Sequence, residues 1–437
     1  VRCGAGAKEM LCEGRRVRRS SQSVCAIRGR AAQPLLLFAA CCVGGTHAFV
    51  APGSLLLRPG GPARAATARP AQLGRLRASL GSTQYKGAED DVYNEGIAKV
   101  KSGNSVLLPH LNHVKSQDFF RYYAVDLLSS CTYFPTIEFP CDMEKCDVDS
   151  AEEVPEKYRQ RDHDEHDFRL DGWVRWDMPG DFTDYYDLDE VPEKYTEYQG
   201  QAVWKFIHEK ICFQVGVDQA SQDDPENSWK RDFNRAISGL HSSISAHVLN
   251  TMGLDEDAAL DEYKRRIGDV PEAVTNLHFV YMLMLVAVHE ARFRLLECGY
   301  MGAGDDILPS MRALIEDPLL QDPSVQLSAA ALREHAQSPS AKVWKARLRT
   351  RDLLGVMNCV QCNRCRLHGK VASLGLGVAF QVLLGNDGSG QKEEVVGRVE
   401  KLHRVEVAAL INTTAKFARA VEIVSKYEKL LDEQGDA

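Results

Sequence analysis

Long runs of apolar residues at three- and four-residue steps leave this chain little choice but to fold as packed helices. Val407, Leu410, Ile411, Phe417, Val421, Val424 and Leu431 keep that step through the C-terminal stretch, the mark of a long amphipathic helix with one buried stripe. Residues 276–297 are apolar nearly all round, which predicts a helix at the centre of the core. Residues 238–249 and 255–267 are helical candidates as well, and two-residue alternation of the strand type is scarce. The expected fold is mainly α, a single helical domain over residues 89–437. With 44% hydrophobic side chains and five Trp among 437 residues, the chain has ordinary globular material for one large core or two small ones.

The first 88 residues read as a targeting leader rather than as part of that core. Between Gly14 and Ala88 there is no Asp or Glu. Within this stretch Pro34 to Cys42 form an apolar run preceded by Arg28 and Arg30 and followed by small residues ending at Ala48, the layout of a signal peptide. Met10 is a candidate start, since residue 1 is Val. The Arg-rich stretch from Leu57 to Ser82 has two readings of equal weight: a transit-like segment addressing a plastid through the secretory route, or a linker behind a single signal peptide. Both begin in the endoplasmic reticulum, where disulfides survive. A formal net charge of −8 with no basic face argues against nucleic acid as a partner. The apolar run Phe279 to Val288 is roughly half of the ~20 residues a bilayer requires, and His289, Glu290 and Arg292 follow it, so it reads as a buried helix.

Thirteen cysteines are many for a cytosolic enzyme. Removal of the leader takes away five and leaves eight, which fall into groups. Cys359, Cys362 and Cys365 form C-x-x-C-x-x-C at the entrance to a predicted helix, and Cys131, Cys141 and Cys146 form a second group. A zinc site needs four ligands, and the second group lacks the usual two-residue spacing. A ferredoxin-type cluster wants a further Cys near position 369, where the chain has Gly369. A redox relay fits best. Arg364, Arg366 and Lys370 surround the first group, and basic neighbours with a helix start favour a thiolate. A set of structural staples is the plain alternative. Asp142, Glu144 and Asp147 beside Cys141 and Cys146 disfavour thiolates there, so the reactivity of that pair must come from reach and mobility.

Residues 141–190 are strongly acidic and lose apolar periodicity, which predicts a mobile, solvated loop. His163 and His166 within it read as solvated polar residues rather than metal ligands. The hexapeptide EVPEKY occurs at Glu153 and again at Glu190, too short an echo to establish a repeat architecture. The glycosylation sequon Asn412-Thr413-Thr414 lies within the predicted C-terminal helix.

At its cysteine motif the sequence resembles the endoplasmic reticulum oxidoreductin family of flavin-dependent thiol oxidases. CVQCNRCRLHGK (Cys359 to Lys370) and the following GLG carry the resemblance. DFFRYYAVDL, PEKYTEYQG, WKFIHEKICF, SGLHSSISAH and TNLHFVYML agree in the same order along the chain. It covers roughly residues 115–430. The resemblance implies a helical core around FAD, with Cys362 and Cys365 as the flavin-proximal pair and Cys141 and Cys146 as the shuttle pair. It also implies a structural disulfide between Cys131 and Cys359, and FAD contacts at Lys194, Thr196, Trp204, Ser238, His241 and Arg266. The implied partners are a protein disulfide isomerase and molecular oxygen, in the lumen of the endoplasmic reticulum, with room for a peripheral membrane association. The residue chemistry is compatible: Trp204 can supply a flat apolar platform, and His241, Arg266 and Lys194 can supply donors and charge for a pyrophosphate. No G-x-G-x-x-G occurs, which disfavours a Rossmann-type site. The chain departs from the family pattern in several places. Lys194 stands for Arg, Ala273 for a second Arg, His368 for Trp, and Ala151 for a Cys that locks the shuttle in some members. Cys212 lacks its usual partner, leaving Cys298 as its mate or a free thiol. The competing function is a non-enzymatic zinc- or redox-responsive binding module built on the same cysteines.

Overall fold

The computed structural model describes residues 88–133, 146–159, 184–195, 200–212, 225–296, 307–334, 339–384 and 402–435. The expected leader, up to residue 87, lies outside them, as do Cys141, Thr196, Cys298, His163 and His166. The described chain runs through α1 (Ala88–Lys115), α2 (Asp118–Arg121), β1 (Tyr122–Ala124), β2 (Tyr185–Asp187) and α3 (Gly200–Phe206). It continues through α4 (Pro225–Thr251), α5 (Glu256–Tyr263), α6 (Pro271–Glu290), α7 (Arg292–Leu295) and α8 (Leu308–Ile315). The last four helices are α9 (Pro323–Glu334), α10 (Pro339–Met357), α11 (Asn363–Leu384) and α12 (Arg404–Gly435). The fold is mainly α, with one two-stranded antiparallel ribbon among the described residues.

The apolar patterning explains which helices are central. In α6 every residue from Leu277 to Val288 is buried, as its all-round apolar character demands. The helix starts earlier than its apolar run, because Pro271 occupies the first turn, where its fixed φ suits helix initiation and its missing N–H costs nothing. It stops at Glu290, and the chain turns at Ala291 before the short α7, so the predicted span 276–297 is shifted toward the N-terminus. Helices α6 and α11 are long and apolar enough to cross a membrane, yet most of each is packed inside the protein. The stripe of α12 buries Val407, Leu410, Ile411, Phe417, Val421 and Val424 against α11, α1, α6 and α4. At Gly375 a Cβ would lie 2.4 Å from the Ala409 carbonyl oxygen of α12, so only glycine lets these two helices come so near. The sequon residue Asn412 donates to the carbonyls of Phe120 and Ala408, which commits its amide to the packing of α12.

The ribbon positions the segments that carry the cysteines. Tyr122, Tyr123 and Ala124 pair with Asp187, Tyr186 and Tyr185, and Arg121 forms an ion pair with the buried Asp187. The Ala151 N–H donates to the Tyr185 carbonyl at 2.7 Å, fastening residues 146–159 to β2. Asp126 then turns the chain by accepting from the N–H groups of Leu128 and Ser129, and this turn leads to Cys131.

Candidate active site

Cys131 and Cys359 form a disulfide that spans 228 residues of sequence. It joins the turn after β1 to the end of α10, where the Cys359 N–H donates to Val356. Three residues later the chain enters α11, and Cys362 sits at the cap of that helix: its carbonyl accepts from the Arg366 N–H at 2.8 Å. A side chain at this position ordinarily accepts from the free N–H groups of the first turn, and here the acceptor is sulfur. The Cys362 thiol is lowered to about 6, first by a hydrogen bond from the Cys365 thiol, then by one from Cys146 and by the N–H groups of Cys365 and Arg364, all working against burial. Cys365 is raised, chiefly because it is the donor to Cys362 and because it is buried. Its Sγ lies 2.6 Å from the carbonyl oxygen of Lys194.

The basic side chains expected to stabilise the thiolate spend their hydrogen bonds on backbone carbonyls. Arg366 donates to the carbonyls of Val360 and Leu127, Lys370 to that of Asp126, and Arg364 to that of Asp147. They brace the backbone around the cysteines; hydrogen bonds from thiols and the helix start lower Cys362 most, and Arg366 is also in electrostatic contact with it. The environment of Cys146 also differs from its sequence neighbourhood. This residue is fully buried, it hydrogen-bonds Cys362, and the Lys194 ammonium lies 3.8 Å from its sulfur. Asp147 is exposed, while Asp142 and Glu144 lie outside the described residues.

A second group forms an aromatic shelf. Trp204 on α3 and His241 on α4 are stacked at 4.5 Å with 7° between their rings, and His208 lies 5.9 Å from His241. Burial first, then the charges of His208 and Arg266, lower His241 to about 4, so its ring is neutral near pH 7. Arg266 is therefore close enough to be felt at His241, while its guanidinium pairs with Glu262. Ser238 lies one turn before Ser242, which donates to its carbonyl at 3.0 Å. The Trp204 indole Nε1 is buried with no hydrogen-bond partner. A flat buried platform with an unspent donor suits a planar ligand with polar edges, as FAD has. Trp204 and His241 thus fit the cofactor, with the Arg266 charge close by. Thr196 lies outside the described residues, and the Lys194 side chain is engaged at Cys146.

Residues outside the expected set of site residues bind the two groups together. Tyr195 stacks on His247 of α4 at 4.3 Å, and Glu193 forms a buried ion pair with Lys416 of α12 at 2.9 Å. His368 hydrogen-bonds the Val191 carbonyl. The segment 191–195 is thereby held between α4, α11 and α12, with Lys194 against the sulfurs. The signal for these contacts was present in the second EVPEKY, which contributes Glu193, Lys194 and Tyr195. Cys212 is a free thiol 3.6 Å from the His208 Nδ1, and burial pushes it up to about 12. Among the described residues no group of three or more His, Cys, Asp or Glu is placed to hold a metal. A zinc site would need Cys131 and Cys359 as separate thiolates, and they are bonded to each other.

Residues 106–424 match a family model described as Endoplasmic Reticulum Oxidoreductin 1. The chain is 27% identical over 393 residues to the endoplasmic reticulum oxidoreductin-1 of Kluyveromyces lactis, covering 81% of this chain and 67% of that protein. It is 28% identical over 401 residues to the Arabidopsis thaliana protein of the same name, covering 80% and 82%. A solved mutant of Saccharomyces cerevisiae Ero1p superposes with a TM-score of 0.55 at 24% identity, over 78% of this chain and 99% of that one; the likeness speaks to the fold.

Proposed function

The chain belongs to the endoplasmic reticulum oxidoreductin 1 family, and on that footing we propose that it is a FAD-dependent thiol oxidase of the endoplasmic reticulum lumen that makes disulfides in a protein disulfide isomerase. The observation that carries this reading is the meeting of three sulfurs: buried Cys146 hydrogen-bonded to a Cys362 that caps α11 and is itself paired with Cys365. Such a cluster has no use as a set of staples. Its geometry suits thiol–disulfide exchange, in which a thiolate attacks one sulfur of a disulfide and displaces the other.

The relay proceeds in balanced steps. A partner dithiol attacks the Cys141–Cys146 disulfide, leaves as a disulfide, and gives both shuttle residues as thiols. The Cys146 thiolate then attacks Cys362, breaking its bond to Cys365, which leaves as a thiolate and takes up a proton. Cys141 attacks Cys146, closes the shuttle disulfide again and releases Cys362 as a thiolate. The low pKa of Cys362 makes it the better leaving group in this last step. When bound, FAD would supply the two-electron chemistry by which Cys362 and Cys365 return to their disulfide, with oxygen as final acceptor and hydrogen peroxide as product. Trp204, His241, Ser238 and Arg266 would hold the cofactor, and the Cys131–Cys359 bond keeps the turn after β1 beside the entrance to α11.

A visible spectrum of the purified protein separates this from the zinc-binding alternative, since flavin is coloured and zinc is not. Cys362→Ser and Cys365→Ser should each abolish oxygen consumption with FAD still bound. Replacing Cys141 and Cys146 should collapse the ratio of protein-dithiol to small-dithiol turnover. An unchanged ratio would overturn the order of the relay.

A further inference from the structure

Residue 194 touches the cysteine cluster at both ends. Its carbonyl oxygen lies 2.6 Å from Cys365 Sγ, and its ammonium stands 3.8 Å from Cys146 Sγ. The backbone that places it is fixed on either side by the Glu193–Lys416 ion pair and the Tyr195–His247 stack. We propose that the Lys194 ammonium holds the Cys146 sulfur as a thiolate and so promotes its attack on Cys362, making this lysine an electrostatic partner of the sulfur exchange. The proposal rests on the relay described above and gives residue 194 a task other than cofactor contact.

The charge environment of Cys146 supports the assignment. Among the described residues, its sulfur meets the Lys194 ammonium and the thiols of Cys362 and Cys365. Asp147, next in the chain, is exposed, and its carbonyl is held by Arg364. A buried thiolate without a cation is costly, and a cation within hydrogen-bond range lowers that cost directly. Lysine suits the place because its ammonium is a compact point charge on a flexible stem. In the exchange itself the Cys146 thiolate forms the bond to Cys362 and displaces Cys365, whose sulfur takes up the proton that Cys146 has released. The ammonium keeps its own proton throughout and serves only to favour the charged sulfur.

Two measurements on the full-length FAD-bound protein test this. After reduction by a small dithiol, alkylation of Cys146 by iodoacetamide is followed against pH by peptide mass spectrometry, in wild type, K194M, K194Q and K194R. The midpoint for Cys146 should rise by about one pH unit in K194M and K194Q, equivalent to ~10-fold less thiolate at neutral pH, and return to near the wild-type value in K194R. Rapid mixing with a protein dithiol, read as flavin bleaching, should show K194M about tenfold slower near pH 7. The deficit should close above about pH 9, where an ordinary thiol is ionised without help. Equal Cys146 midpoints in wild type and both neutral variants would overturn the proposal. So would a K194M that purifies short of FAD with the Cys146 midpoint unmoved, which would make this lysine a cofactor ligand. If the flavin of the wild type never bleached on mixing, the relay would fall and this proposal with it, a result told apart by the silence of the wild type itself.

Discussion

At the scale of single residues, the decisive fact is that Cys362 takes the place of a capping Ser or Asp at the start of α11. Hydrogen bonds from Cys365, from Cys146 and from two first-turn N–H groups lower it to about 6. In the reduced protein Cys362 should therefore be alkylated with a midpoint well below that of an ordinary thiol. Cys365, raised by donating to Cys362 and by burial, should stay slow through neutral pH. Peptide-resolved labelling checks both, and an ordinary midpoint near ~8.5 for Cys362 would contradict the cap. The aromatic shelf makes a separate prediction. Trp204→Ala removes the ring stacked on His241 and should give protein with little FAD after gel filtration, while the Cys131–Cys359 bond remains intact. The spacing of these residues was legible in the sequence, and their surroundings were not. Arg364, Arg366 and Lys370 lie beside the cysteines in the chain, but their donors go to backbone carbonyls. A charge three residues away along a helix start can face any direction, and only the packed structure settles which.

At the scale of elements, the approach of α11 to α12 is set by a missing side chain. Gly375→Ala would bring a Cβ within 2.4 Å of the Ala409 carbonyl and 2.2 Å of Thr413 Oγ1. Alanine favours helix by about 1 kcal/mol over glycine, but forcing the helices apart should outweigh this and destabilise the protein by about 1–3 kcal/mol in denaturant titration. The helices themselves were readable from period and apolar content, because burial of a stripe or of a whole surface writes itself into every third or fourth residue. The start of α6 at Pro271 was missed because the apolar run begins several residues later, whereas helix initiation follows proline and capping chemistry. The two EVPEKY stretches show a further limit. Tyr158 of the first lies under Arg404, and Tyr195 of the second under Lys416, so both tyrosines meet cations of α12 at 5.6 and 5.5 Å. A six-residue echo carries no hint of a common dock, since the dock is made by a helix more than two hundred residues away.

At the scale of the whole molecule, buried histidines tie stability to pH. Burial lowers His247 and His278 to about 4, against an unfolded value of about 6.5. The folded protein thus binds fewer protons than the unfolded chain over that interval, so stability is complete above about pH 6.5 and is lost progressively as pH falls toward 4. The melting temperature should drop across this range, and less so in His278→Asn, whose core partner Val274 can still be met by an amide. A flat profile between these limits would contradict the burial of neutral rings. Breaking the 228-residue crosslink by replacing Cys131 and Cys359 should cost about 2–5 kcal/mol. That crosslink has a consequence for how new copies mature. On the proposed function, a catalyst that installs such bonds in clients must first receive one, and its own product is the reagent it lacks. Fully reduced chains returned to folding conditions should then gain activity along a sigmoid, and a trace of finished protein added at the outset should abolish the lag.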